Sequence, residues 1–140
     1  MTRRGRKKNV DSAFGTDRLR LARAFLKAAR NEVLLAEPGD IGNPAMSQIV
    51  TAAIAFSDAV TAIHAGSVNQ QNHAGAVAAL RDALGNRLPV AQETHLRRIL
   101  GEKDGVQYGT RLRSMADAAS LLEHLEQFAT WVETEMASRK

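Results

Sequence analysis

The sequence predicts an all-α protein, an up-and-down helical bundle of four main helices and one short one. Three observations carry this. Apolar residues recur every three or four positions in most stretches, the helical period. Aromatics make up only 4 % of the chain and alanine is abundant, which suits closely packed helices better than sheets. Glycine, proline and asparagine cluster between the periodic stretches and mark the turns.

Residues 1–15 lack apolar periodicity and read as a disordered basic arm. Thr16 is the expected N-cap of the first helix, with Asp17 favourable at its positive end. Leu19, Ala22, Phe25, Leu26, Ala29 and Val33 form its apolar face, and Arg20, Arg23, Lys27 and Arg30 a second, basic stripe. "EPGDIGNP" (residues 37–44) is a loop. Asn43 and Pro44 then provide a capping side chain and a first-turn proline for the second helix. That helix is apolar nearly all round, with Met46, Ile49, Val50, Ala53, Ile54, Phe56, Ala59, Val60 and Ile63. It belongs at the centre of a bundle. Ser47, Gln48, Thr51, Ser57, Asp58 and Thr61 argue against a membrane span.

After the polar loop "GSVNQQN" comes a short third helix, with Val77, Leu80 and Leu84 inward and Gly85 as its stop. A fourth starts near Val90 and carries Leu96, Ile99 and Leu100; Gly101 and Gly105 weaken its far end. Ser114 and Asp117 form a variant capping box for the last helix. Its inward line is Ala118, Leu121, Leu122, Leu125, Phe128, Val132 and Met136. Residues 114–136 hold five acids and no lysine or arginine. A basic first helix and an acidic last one favour adjacency, in one bundle or across a dimer, at ~0–1 kcal/mol per exposed pair.

At 140 residues the chain is one domain, residues 16–138, behind the arm. The absence of cysteine removes disulfides and thiolate chemistry and fits a cytoplasmic setting. The net charge of +4 belongs to the arm. Arg3, Arg4, Arg6, Lys7 and Lys8 fall in the first eight residues, and the remainder holds 14 basic and 15 acidic residues. Such an arm either contacts nucleic acid phosphates or simply stays solvated.

Chemical signatures are sparse. There is no phosphate loop or nucleophile elbow. His64, His73, His95 and His124 lack metal-ligand spacing, so neither metal nor cofactor is expected. Asp58, in the most apolar helix, must be paired or face a cavity. "GEKDGVQYGT" (residues 101–110) brings together Lys103, Asp104 and Tyr108, the only tyrosine. A purely structural reading has Lys103 complement the negative end of the fourth helix and Tyr108 pack against the last one.

The succession "AAIAFSDAVTAIHAG", "NHAGAVAALRDAL", "LRRILGEKDGVQYG" and "SMADAASLLEHLEQFATWVE" resembles the HEPN superfamily of small prokaryotic helical bundles, over about residues 17–132. Catalytic members are metal-independent ribonucleases, commonly completed across a homodimer. Their site is an Arg followed, after about four to six intervening residues, by a His; Arg stabilises phosphate charge and His moves protons. Here Lys103 and Tyr108 stand in that place, and Arg87 and His95 are a near miss with seven residues between them. Lysine holds phosphate as a point charge, without arginine's fork, and a phenol is a poor proton shuttle at neutral pH.

The resemblance therefore implies a homodimer that binds RNA, a nucleotide or a partner protein, with little or no ribonuclease activity. It implies a toxin–antitoxin or defence setting, with a nucleotidyltransferase-type antitoxin as partner and no membrane. Binding would use Lys103, Tyr108, Asp104, Asp58, His73 and the arm. The alternatives are a ribonuclease with a variant Lys103/Tyr108 site assisted by His95 or His73, and a purely structural interaction module.

Overall fold

The computed structural model describes residues 7–69, 74–108 and 111–138. The chain is all-α. Its elements run β1 (Lys7–Asn9), α1 (Ser12–Leu34), α2 (Asn43–Ala65), β2 (Ser67–Asn69), α3 (Ala74–Leu84), α4 (Val90–Leu100), α5 (Lys103–Gln107) and α6 (Met115–Ala137), with a 3₁₀ turn at Gly85–Arg87.

Helix α2 is the axis of the bundle. Fifteen of its 23 residues are buried, as expected of a helix that is apolar on every side. By length and composition it would also pass for a membrane span, but 72 % of its most apolar stretch is covered by the other helices. Phe56, Ile49, Val50 and Val60 are fully buried there and meet Leu80, Leu88, Leu96, Ile99, Leu125 and Phe128.

Helix α1 lies antiparallel to α2. Gly15 sits against Ala62 and Ile63, and Arg18 reaches Asp58. It also lies antiparallel to α6. Arg23 forks onto Glu133 with two 2.6 Å hydrogen bonds, and Arg30 onto Glu126 at 2.6 and 3.0 Å. Seven residues forward on one helix match seven backward on the other. The opposite charge of the two helices thus operates within a single bundle. The hydrogen bonds to these carboxylates hold both guanidiniums even more firmly protonated than usual.

Two expectations for the N-terminal segment are corrected. Helix α1 starts at Ser12, four residues before Thr16. Asp11 accepts from the Phe14 N–H at 3.0 Å and is the true cap, and Thr16 bonds back to the Ser12 carbonyl. Lys7–Asn9, read as part of a disordered arm, pairs antiparallel with Ser67–Asn69. The fourth helix ends where its glycines predict. Gly101 ends α4 after 11 residues, and the chain turns into the five-residue α5. The expected capping box of α6 is present in full, with Asp117 N–H to Ser114 Oγ at 3.0 Å and Ser114 N–H to Asp117 Oδ2 at 3.2 Å.

Asn43 does not cap α2, whose N-cap is Gly42. Its buried amide is used across the fold. Nδ2 donates to the Arg111 carbonyl at 2.8 Å, and Oδ1 accepts from the Arg113 N–H at 2.7 Å. The Gly42 N–H donates to the Arg113 carbonyl at 2.7 Å, and Ile41 bridges to Ser114. These bonds tie the entry of α6 to the entry of α2. The approach requires glycine, because a Cβ at position 42 would lie 2.2 Å from the Ser114 carbonyl oxygen. Gly42→Ala is therefore expected to cost about 1–3 kcal/mol through forced backbone displacement. Urea denaturation would show this as a lower midpoint at an unchanged slope, and an unchanged midpoint would contradict the clamp.

Candidate anion-binding cleft

The residues singled out in the sequence do not form one site. Lys103 opens α5 and Tyr108 closes it. The Lys103 ammonium lies 5.8 Å from the Tyr108 ring centroid, a cation–π distance. Tyr108 does not pack on α6; its side chain is 72 % exposed. Asp104 is exposed beside them, and its carbonyl accepts the Tyr108 N–H. Arg87 and His95 are also apart. Arg87 bonds Glu135, whose carboxylate lies 3.7 Å from the buried His64 ring, whereas His95 pairs with His124. Arg3, Arg4, Arg6 and His73 lie outside the described residues.

Lys7 and Lys8 sit in β1, which pairs beside Gly66 at the C-terminal end of α2. The cleft described next sits at the other end, on Met46. The twenty intervening residues of helix put them about 30 Å apart.

Asp58 is near neither. It is 7 % exposed on α2. Its closest cation among the described residues is Arg18 on α1, with Nε 3.9 Å from Oδ2. Burial pushes its carboxyl up to about 6, and Arg18 only partly opposes that. Arg18 is itself held over the Phe14 ring at 5.3 Å.

The residues that do converge are Arg98 from α4, Glu102 before α5, Arg113 before α6, and Asp117, Ser120 and His124 of α6. They line a cleft of about 70 Å³ whose apolar floor includes Met46 and Leu121. Local structure explains each position. Helices α4 and α6 run antiparallel, so His95 faces His124 while Glu102, two turns on, faces Arg113. Arg113 is placed by the Asn43 and Gly42 bonds to its backbone.

His95 Nδ1 and His124 Nδ1 are 2.9 Å apart, with ring centroids at 5.1 Å. One ring must donate and the other accept, so the pair cannot hold a proton on both facing nitrogens. Burial, then the His95 and Arg98 charges, hold the His124 imidazole below its usual pKa, against a small opposing pull from Glu123. The bond to His95 leaves Nε2 as the polar atom that His124 can offer a ligand.

Arg98 is exposed and forms no salt bridge among the described residues. Arg113 Nη2 lies 2.8 Å from Glu102 Oε2. That is ion-pair distance, but off the direction of a hydrogen bond, because Glu102 Oε2 and Arg113 Nε are both buried with no hydrogen-bond partner among the described residues. Among the described residues no cluster of three or more potential metal ligands occurs.

The cleft residues were missed in the sequence because they have no fixed spacing. One signal was available. His95 to Arg113 holds five lysines and arginines against two acids, in a body otherwise close to neutral. Comparison with protein-family models gives no match, and comparison with curated proteins gives none.

Asp58 makes the pH dependence specific. Its folded pKa is raised above the ordinary 3.8. Below that value both states hold the proton and there is no penalty. As pH rises from about 4 to above 6 the unfolded state ionises first, so stability falls through that window and then levels. Asp58→Asn removes the penalty. Its stability relative to wild type should rise by about 2 kcal/mol between pH 4 and pH 7, measured by denaturation at both pH values. A pH-independent difference would refute this.

Proposed function

We propose that this protein is a HEPN-like RNA- or nucleotide-binding bundle with little or no ribonuclease activity. The observation that carries the reading is the convergence of two arginines, Arg98 and Arg113, with His124 on one small cleft. Guanidinium is the group best matched to phosphate oxygens. The all-α bundle around a central apolar helix is the architecture that the family resemblance implies, and the cleft lies next to the segment where the family keeps its functional residues.

An observation also bears on the enzymatic alternative. Two histidines and an arginine beside a phosphate site would suit metal-independent cleavage of RNA. Such cleavage needs a base and an acid on separate sides of the reacting phosphate. Here the two imidazoles are bonded to each other at 2.9 Å, so they do not bracket a third group. Binding is the better reading.

Single-stranded RNA should bind with an affinity that falls steeply as salt rises. Arg98→Ala should weaken binding and reduce the slope of log K against log salt by about 0.7, one phosphate contact on a single strand. Fluorescence anisotropy at several salt concentrations checks both, and the RNA should be recovered intact. A flat salt response would remove nucleic acid as the ligand. The 1–9 segment is better probed by Lys8→Gln than by deletion, since deletion also removes β1 from its partner strand.

A further inference from the structure

Arg113 is already charge-paired before any ligand arrives, and the pair is incomplete. Two surface pairs of this fold, Arg23–Glu133 and Arg30–Glu126, each close with two aligned hydrogen bonds. Glu102–Arg113 has the distance of an ion pair, 2.8 Å. Yet it leaves both Glu102 Oε2 and Arg113 Nε buried without a hydrogen-bond partner among the described residues. A buried donor without an acceptor is unfavourable. An oxyanion with several oxygens would satisfy Nε and Nη2 together.

We infer that Glu102 is a resident counter-anion on Arg113 which a phosphomonoester displaces, making the cleft a subsite for a terminal phosphate on an RNA end or a mononucleotide. The inference rests on the RNA- or nucleotide-binding reading above and gives it a ligand class. Size agrees, because about 70 Å³ is far below the several hundred Å³ of pockets that enclose whole organic ligands. It suits one phosphoryl group.

Charge gives the selectivity. A bridging phosphodiester carries one negative charge, so exchanging it for the Glu102 carboxylate replaces one monoanion with another. A phosphomonoester carries about −1.5 to −2 at pH 7. It can displace Glu102 and still have charge left for Arg98. Asp117 also lines the cleft. Its carboxylate is held by the Ser114 N–H and offset by the positive end of α6.

The test uses the full chain and short RNAs of one sequence bearing a 5′-phosphate, a 3′-phosphate or neither, with AMP and adenosine as competitors. Wild type should prefer one of the phosphorylated RNAs by about tenfold. Glu102→Gln should bind all three more tightly and lose most of that preference. AMP competing as well as phosphorylated RNA assigns a mononucleotide ligand, and competition by RNA alone assigns an RNA end; either keeps the subsite. Equal affinity for all three RNAs, or a Glu102→Gln protein that is folded and binds no better, overturns it.

A wild-type measurement guards against a variant that fails to fold. Inorganic phosphate should shift the His124 ring and Arg113 Nε–H resonances at concentrations where dimethyl phosphate does not. If phosphate shifts them and no RNA or nucleotide binds, the subsite stands and the functional reading falls. If RNA binds and phosphate shifts neither resonance, the reading stands and the subsite falls.

Discussion

The whole fold depends on enclosing α2. A helix apolar on every side cannot rest on a surface. It must be covered all round, and a chain of this length covers it by wrapping α1, α3, α4 and α6 about it. Topology then follows from the order of cover. Helix α1 takes one side, antiparallel. The chain returns through α3 and α4 on another, and α6 closes the gap between α4 and α1. The one carboxylate buried on α2, Asp58, bears the consequence. It lies under that cover, and its close cation among the described residues, Arg18, is 3.9 Å away, so desolvation outweighs attraction.

Charge acts on top of this packing. Burial alone does not set the direction of α6 against α1, because an apolar stripe can pack in either sense. The forks from Arg23 to Glu133 and from Arg30 to Glu126 exist only in the antiparallel arrangement. Each is exposed and individually modest. Together they penalise the reversed packing, in which the basic stripe would meet the apolar early turns of α6. A second set of charges fixes the α3–α4 corner. Arg81 bonds the Gly85 and Leu88 carbonyls and Glu93. Glu93 also accepts from Arg97, and these bonds hold its carboxyl below the ordinary range.

Much of the fold is legible in the sequence because it is written in short-range patterns. The helical period gives the buried lines of α1, α3, α4 and α6, and the Ser114–Asp117 spacing gives a cap that forms as expected. What is not legible depends on distant partners. Asn43 beside Pro44 has the local signature of a cap, but its amide bonds residues 111 and 113 instead. Thr16 has the same signature, yet Asp11 starts α1 earlier, and β1 then stays ordered by pairing with β2. The site is the least legible part. Arg98, Arg113 and His124 come from three segments with no repeat between them, whereas Lys103, Asp104 and Tyr108 draw the eye by lying together. Proximity in sequence placed these three on one exposed turn of helix, next to the cleft but not lining it.

The constraint that encloses α2 also sets the geometry of the cleft. Arg113 has its backbone N–H on Asn43 and its carbonyl on the Gly42 N–H. Its guanidinium therefore starts from a point fixed relative to the first turn of α2. Met46, one turn further on, is the floor. On the opposite wall, α4 is set by Leu96 and Ile99, both fully buried, and by the His95–His124 contact to α6. The two arginines are carried by separate elements, each anchored to the core, so the spacing of their backbones is inherited from the packing. Such a site is preorganised, so a ligand loses little binding energy to ordering the protein. The side chains left to move are that of Arg98, which is exposed, and that of Glu102, which sits between the end of α4 and the short α5 and is tied to Arg113 by charge without a formed hydrogen bond. An arginine on a fixed backbone, paired with one loosely held carboxylate, favours exchange of one anion for another.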